Sequence, residues 1–441
     1  MKILKFGGTS VGSIEGLQQI RKIISNTNGN KIVVCSAMSG VTDTLLNLTK
    51  HIKTYDEVFI HSYINILKDR HYSMIEELFF DEVFKKNMKD VVDKSLNYML
   101  VLSKKEYSED TECEIITYGE RLLTEIYSAY LNSIGVKNVL LDARDFMIVD
   151  KIERPNVGVI SKKLKPLLEK NRDKDLFITQ GFIRVTSNGD LRHLDRGGSD
   201  YSATLIGAAL TAEEVQIWSD VDGFHNCDPR VVKDTFLIPY LSYDEAAELA
   251  CFGAKILHPQ TVFPAKKLKI PLLLRNTFHI EGKGTVISNE TSFLGRRAIS
   301  VKNNLMSLKM TYLSKYDKEV VDKKIVSEFE KNNITIYFRA ETEDYIEVSV
   351  LQQIKVYKIL DALERLVEID FKKDLSIVCI VGYHLDYDSD VKLKEEIKQL
   401  SINEIFCHSD ILSTKIGVDS ENIDEILKKI NSQLLINRIS V

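Results

Sequence analysis

Apolar runs of strand length alternate with amphipathic stretches of helical period over the first 290 or so residues. The earliest run, Lys2 to Leu4, passes at once into Lys5-Phe6-Gly7-Gly8-Thr9-Ser10, and a helix is predicted over Gly12 to Ile24. Lys31 to Cys35 is a continuous apolar strand that ends in Ser36-Ala37-Met38-Ser39-Gly40-Val41-Thr42-Asp43 before another helix. Val136 to Leu141, Leu176 to Thr179, Val215 to Trp218 and Ile270 to Leu274 read as further strands, the last closing the sheet, and Glu281 to Thr285 reads as a surface hairpin. Strand, small-residue turn and helix repeated in this order predict an α/β fold with a mainly parallel sheet, whose ligands bind at the carboxyl ends of the strands. From Lys50 to about Ser108 the pattern is helical and charged, with Tyr, Leu, Ile and Phe at helical spacing. It predicts a helical insertion over residues 50–110 whose apolar stripe is core.

Beyond Gly295 short strands alternate with amphipathic helices. Strands are predicted at Leu305 to Tyr312, Ile334 to Phe338 and Tyr345 to Val350, with helices at Asp317 to Lys331 and Ile354 to Glu368. A second round follows, with strands at Leu375 to Val381, Glu404 to Cys407, Leu412 to Val418 and Leu435 to Ser440, and helices at Val391 to Leu400 and Asn422 to Gln433. Two rounds of βαββα suggest a duplicated ferredoxin-like module one strand short of two complete copies. Ile299 to Val301 can supply that strand, which makes one copy discontinuous. The expected boundaries are residues 1–292, 297–370 and 371–441.

Composition narrows the function classes. The chain has 441 residues, 44% hydrophobic and 28% charged, with a formal net charge of −5. These are the values of an ordinary globular protein of two or three domains, without the basic footprint of a nucleic-acid or membrane-surface binder. No signal peptide or membrane-length apolar run is read, so a cytoplasmic protein without membrane or nucleic-acid partners is expected. Six scattered cysteines without a CxxC pair predict reduced thiols, not disulfides or zinc.

The candidate chemistry sits in the turns. Gly7 and Gly8 let backbone N–H groups approach an anion, and Lys5 adds a point charge. Arg192 to Tyr201 is the densest polar stretch and precedes an Ala-rich helix. Arg196 suits a carboxylate and Asp200 an ammonium, which together describe an amino acid; alternatively the two pair with each other, or Asp200 only caps the helix. Ser219, Asp220 and Arg230 lie in turns suited to the base, ribose and phosphates of a nucleotide, or to nothing more than turns. Lys255 is placed for a second phosphate contact, with a solvated lysine as the default alternative; His258 reads as structural, Trp218 as core, and Glu120 as an acid favouring a helix dipole. Neither a Walker A motif nor a dinucleotide fingerprint occurs.

Five motifs together resemble the aspartate kinase family: Lys5-Phe6-Gly7-Gly8-Thr9-Ser10, Ser36 to Thr42, Thr179-Gln180-Gly181-Phe182, Arg196-Gly197-Gly198-Ser199-Asp200-Tyr201 and Phe252 to Pro259. They occur in the family's order, and the resemblance covers the whole chain. It implies an amino acid kinase domain followed by two ACT domains, and transfer of the γ-phosphoryl group of ATP to the side-chain carboxylate of L-aspartate. ATP and Mg²⁺ are the implied cofactors, with no protein metal ligands assigned. By this resemblance Lys5, Gly7, Gly8, Asp200 and Lys255 are catalytic. Ser36, Thr42, Glu120, Arg196, Gly197, Gly198 and Ser199 belong to the aspartate shell. Lys5, Gly8, Ser10, Ser219, Asp220, His225, Arg230 and Lys255 face ATP. The sequence departs from the family at Asp195 and Arg184, where glycine is common, at His225, where tyrosine is usual, and at Asp222, where proline or a small residue is common. These departures bear on nucleotide affinity and leave the charged groups in place. The ACT pair implies feedback by an amino acid, with lysine first and threonine as the alternative, around residues 314–320 and 333–337. It also implies a homodimer or dimer of dimers. A non-catalytic amino acid sensor and a kinase of another acceptor, such as glutamate, are the competing readings.

Overall fold

The strands form where apolar runs can be buried on both faces, the condition for a parallel sheet. In the computed structural model the described residues are 1–195, 197–254, 256–289, 295–313, 316–383, 395–400, 402 and 404–432. They divide into two compact units. The first carries Lys2–Phe6 (β1), Lys31–Cys35 (β2), Val139–Leu141 (β3), Leu176–Gln180 (β4), Ile183–Val185 (β5), Leu191–His193 (β6), Glu214–Ser219 (β7), Tyr240–Ser242 (β8), Leu272–Asn276 (β9) and Thr285–Ser288 (β10). Eight of these make one sheet in the order β3-β4-β2-β1-β7-β9-β10-β8, and β5 and β6 form a separate hairpin. β1 pairs in parallel with β2 on one side and β7 on the other, so the chain reverses its direction of winding beside β1. Open α/β sheets bind ligands at such a reversal. The expectation that β9 closes the sheet is corrected: β10 follows antiparallel to β9 and continues to β8. The connection needs Gly284, at φ +69°, because a Cβ there would lie 2.1 Å from the Leu274 carbonyl oxygen.

Helices of this unit run Gly8–Val11 (α1), Ile14–Asn26 (α2), Val41–Lys53 (α3), Glu57–Leu78 (α4), Glu82–Ser103 (α5), Glu109–Ile116 (α6), Tyr118–Ser133 (α7), Val157–Lys170 (α8) and Gly198–Leu210 (α9). Pro259–Leu268 (α11) also belongs to this unit, whereas Tyr243–Cys251 (α10) belongs from Asp244 onward to the second. The helix expected over Gly12 to Ile24 is α2; it is capped by Ser13, whose hydroxyl accepts from Gly16 N at 3.1 Å, and a separate one-turn helix, α1, precedes it. Asp56, Asp81 and Ser108 cap α4, α5 and α6 in the same way, which fixes the starts of the helices after α3.

A titratable side chain lies buried inside this helical region. His71 on α4 is wholly buried; its Nδ1 donates to the Leu67 carbonyl at 2.7 Å, and Nε2 has no partner among the described residues. Burial pushes the imidazole from 6.5 down to about 4. The unfolded chain takes up the proton first, so this group makes folding less favourable as pH falls from about 6.5 towards 4 and has no effect above that window. His71→Leu should remove the dependence. In urea unfolding, the wild type should lose about 2 kcal/mol relative to the variant between pH 7 and 5. A difference that does not change with pH contradicts this account.

The second unit takes in His225–Phe236, Asp244–Lys255 and Thr291–Val441. Its strands are Ala298–Tyr312 (β11), Ile336–Glu341 (β12), Tyr345–Leu351 (β13), Val367–Val381 (β14), Glu404–Ser409 (β15) and Ser413–Asp419 (β16), ordered β12-β13-β11-β14-β16-β15. Both β11 and β14 are long enough to serve two halves of the sheet. Residues 305–311 of β11 pair with β13, whereas 298–302 pair with 377–381 of β14. The helices Lys318–Lys331 and Ile354–Leu363 cover one half, with Met306, Leu308, Ile325, Phe329 and Ile359 in its core. Ile423–Ile430 covers the other, over Ile299, Val378, Ile380 and Ile416. The helix expected from Ile354 to Glu368 stops at Leu363 because Val367 already begins β14. The predicted strand at Leu435 to Ser440 and the first four residues of the helix at Val391 to Leu400 lie outside the described residues.

Candidate active site

Four of the sheet's parallel strands end in one row. In register, Gln180, Cys35, Phe6 and Trp218 lie side by side, and each strand's turn leaves just beyond them. The turns are tied strand to strand. Gly181 N donates to Cys35 O at 2.9 Å, Ser36 N to Phe6 O at 3.1 Å and Gly7 N to Trp218 O at 3.0 Å. Gly8 sits against the Ala37 to Ser39 turn, where an added Cβ would come 3.0 Å from Ala37 O, and its own carbonyl accepts from Ser39 N. Trp218 is 2% exposed, stacks on Phe6 and donates to Gln216, so it is core.

Two charged side chains meet above this row. Lys5 on β1 and Asp200 in the first turn of α9 form an ion pair with Nζ 2.5 Å from Oδ1, with side chains only 9% and 13% exposed. Glu120 on α7 is buried nearby. Its Oε1 accepts from Ala37 N at 3.0 Å, and Oε2 has no partner among the described residues. Burial pushes the Glu120 carboxyl up to about 8, against the Ala37 hydrogen bond and the charge of Lys5, both of which lower it. Gly119 makes this approach possible, since a Cβ there would lie 2.8 Å from the Ala37 Cβ. Burial likewise raises the Cys35 thiol to about 12, with Lys5 opposing, so it is no thiolate at neutral pH.

The Gln180 side chain accepts from Ala143 N at 2.8 Å and donates to Thr124 Oγ1 at 2.7 Å, which braces the end of β4. Beyond it Gly181 lies against the start of α9, where a Cβ would fall 2.5 Å from the Ser199 Cβ. Ser202 Oγ accepts from Phe182 N and donates to Gly198 O, locking that approach. Gly181→Ala should therefore displace α9 and lower stability by about 1–3 kcal/mol. Urea unfolding reads this directly, and an unchanged midpoint would mean the junction is loose.

The expected site residues fall into three groups. Lys5, Gly7, Gly8, Glu120, Gly197, Gly198, Ser199 and Asp200 lie in the first unit on or beside the turns above, and half-buried Ser36 and Thr42 flank the Ala37 turn. Ser10 is fully buried and shares a 2.7 Å hydrogen bond with Thr277 just after β9. Ser219 Oγ accepts from Val221 N at 3.4 Å, and Asp220 is exposed. His225 and Arg230 belong to the second unit, where His225 Nδ1 lies 3.0 Å from Thr235 Oγ1 and exposed Arg230 forks onto Asp228. Arg196 and Lys255 lie outside the described residues. Asp200 is not the cap of α9, which is Gly197; it lies in the first turn of that helix and its partner is Lys5. His258 accepts from Gln260 N and opens α11, a structural role as expected. Of the departures, Arg184 donates to Val149 O and His193 O, and Asp222 accepts from Asn276 Nδ2 at 3.0 Å. Sequence reasoning missed Thr124, Ser202 and Thr277, whose partners lie far away in the chain and leave no local signal.

Residues 1–276 match the amino acid kinase family. Aspartokinase 1, chloroplastic, of Arabidopsis thaliana is 28% identical over 99% of this chain and 77% of its own length. Lysine-sensitive aspartokinase 3 of Escherichia coli K12 is 25% identical over 98% of both chains. The crystal structure of E. coli aspartokinase III in complex with aspartate and ADP, described as its R-state, superposes with a TM-score of 0.87 over 98% of this chain and 99% of that one, at 25% identity.

Proposed function

Since the chain belongs to the amino acid kinase family and is a phosphotransferase with aspartokinase homology along its whole length, we propose that it transfers the γ-phosphoryl group of ATP to the side-chain carboxylate of L-aspartate. The product is 4-phospho-L-aspartate, the first step towards lysine, threonine and methionine. The observation that carries this reading is the largely shielded Lys5–Asp200 pair near a buried Glu120, whose Oε2 has no partner among the described residues, at the ends of β1 and its neighbours.

A carboxylate is ionised at neutral pH, so the acceptor needs no general base. The task is to bring two anions together and to stabilise charge on the transferring group. Lys5 serves that role with the backbone of Gly7 and Gly8, and Lys255 adds a second cation. Arg196 holds the α-carboxylate, and Glu120 and Asp200 provide acid groups for the ammonium. Ser36, Thr42, Gly197, Gly198 and Ser199 complete the shell. Ser219, Asp220, His225 and Arg230 serve the nucleotide, with Ser10 supporting the turn from inside. Mg²⁺, the second implied cofactor, is in this reading carried mainly by phosphate oxygens. When bound, it supplies charge neutralisation.

The six-stranded sheet is the regulatory part, two ACT-type modules over 297–370 and 371–441 that bind an amino acid effector. Lysine is the first choice, supported by the lysine sensitivity named for the E. coli relative, and threonine the second. The effector region is residues 316–320 with 333–337; Ser314 and Lys315, also expected there, lie outside the described residues. Assembly through these modules gives a homodimer or dimer of dimers in the cytoplasm. Trapping the acyl phosphate with hydroxylamine tests the activity. Aspartate, ATP and Mg²⁺ should yield hydroxamate, glutamate should not, and added lysine should suppress the yield. No hydroxamate above background overturns the proposal in favour of a non-catalytic sensor.

A further inference from the structure

We propose that Gln180 and Thr124 are positioning residues for aspartate binding, holding the first turn of α7 so that Glu120 presents its second carboxylate oxygen to the substrate. This rests on the reading of Glu120 as a contact to the aspartate ammonium.

Gln180 is the last residue of β4, a strand whose five residues are all buried. Its amide is used at both ends. The Ala143 backbone N–H can only donate, so the amide oxygen faces it, at 2.8 Å, and the amide nitrogen is left to donate to Thr124 Oγ1 at 2.7 Å. Thr124, wholly buried on α7, thus accepts from Gln180 and has one proton of its own to give. That proton goes back along the helix, to Glu120 O at 2.9 Å or Arg121 O at 3.1 Å. A threonine inside a helix ordinarily divides between two rotamers. The donation from Gln180 favours the one whose oxygen lies towards β4.

Glu120 is thereby held at two points. Its carbonyl is gripped through Thr124 and Gln180 from the end of β4, and its Oε1 accepts from Ala37 N at 3.0 Å just beyond the end of β2. β2 and β4 are neighbours, with Cys35 beside Gln180 in register, so Glu120 spans two adjacent strand ends. Its Oε2 has no partner among the described residues and is the atom left for a ligand.

A buried amide is a poor way to gain stability at this position, because it must be paired at both ends to offset its desolvation, whereas an apolar side chain needs neither partner. Its advantage is geometric. With the link from Gln180 through Thr124 broken, the first turn of α7 can shift while Ala37 still holds Oε1, which re-aims Oε2. A misplacement of about 1 Å at a substrate-positioning group can cost about 10²-fold. An ammonium contact exists in the ground state as well as in the transition state, so the loss belongs to KM for aspartate and not to kcat.

Steady-state kinetics on the full chain tests this. Thr124→Val, which keeps the shape of the side chain and removes its hydroxyl, and Gln180→Met should each raise KM for aspartate at least fivefold, with kcat and KM for ATP within twofold of wild type. The double variant should be little worse than either single one, because both break the same chain of hydrogen bonds, and Thr124→Ser should restore most of the loss. Leu67→Ala, in the core of the helical insertion, controls for stability and should lower Tm without moving KM for aspartate. The proposal is overturned if Thr124→Val and Gln180→Met keep KM for aspartate within twofold of wild type while Glu120→Gln raises it tenfold or more, or if Thr124→Ser is as impaired as Thr124→Val. If Glu120→Gln itself leaves KM for aspartate unchanged, the reading of Glu120 fails, and the proposal fails with it.

Discussion

Lys5→Ala is expected to lower kcat by about 10²- to 10³-fold, with KM for aspartate changing much less, the pattern of a group whose contact strengthens in the transition state. Lys5 is on the central strand β1, its ammonium is nearly shielded from water, and its ion-pair partner among the described residues, Asp200, comes from the α9 start. Alanine also strands Asp200, so a stability loss of about 3 kcal/mol should accompany the kinetic defect. The two effects separate in the double variant Lys5→Met with Asp200→Asn, in which no charge is left unpaired. Its unfolding midpoint should recover towards wild type while kcat stays low. Should Lys5→Ala raise KM and spare kcat, Lys5 is a ground-state anchor and has been given the wrong role.

The parts of this molecule that were legible in the sequence are those decided by local pattern. Lys31–Cys35 was read to the residue, because a strand buried on both faces is an unbroken apolar run with sharp ends. The turns after β1, β2 and β4 were read from small residues, and the structure lines their strands up in one row. The four-residue helix from Gly8 was not legible, since one turn of helix beginning at a glycine has no period to detect. β11 and β14 were read only in pieces because Asn303-Asn304 and Lys372-Lys373-Asp374 look like loops. In the sheet they form an irregularity, with Asn304 at φ +61° and Asp374 at φ +56°, and the ladder resumes beyond it. Nor does any change of composition mark 225–236 and 244–255 as parts of the second unit. The Lys5–Asp200 pair was invisible for a plainer reason. Each charge had a sensible local role, and only the winding of the sheet brings residues so distant in sequence together.

Glu120 gives the second large effect, and here burial changes the meaning of a residue that sequence presents as a helix-dipole acid. With its carboxyl raised to about 8, the folded chain keeps a proton that the unfolded chain, titrating near 4.5, has released. The sign follows: this group favours folding most below about pH 4.5, and its contribution falls away as pH rises towards 8, by roughly 1 kcal/mol per unit. Glu120→Gln retains an oxygen for Ala37 N and cannot ionise, so wild-type stability should decline relative to the variant across that window in urea unfolding. The aspartate ammonium, by contrast, demands the ionised form, and its positive charge stabilises the carboxylate that burial alone disfavours. Aspartate binding should therefore expel a proton from Glu120 near neutral pH. KM for aspartate should fall as pH rises from about 6.5 to 8, whereas the glutamine variant should show a KM raised on the order of tenfold or more and nearly flat over the same range. Calorimetry in two buffers of different ionisation enthalpy would count the proton directly. A wild-type KM that ignores pH, together with an unimpaired glutamine variant, would leave Glu120 as a brace for the Ala37 turn with no part in holding the substrate.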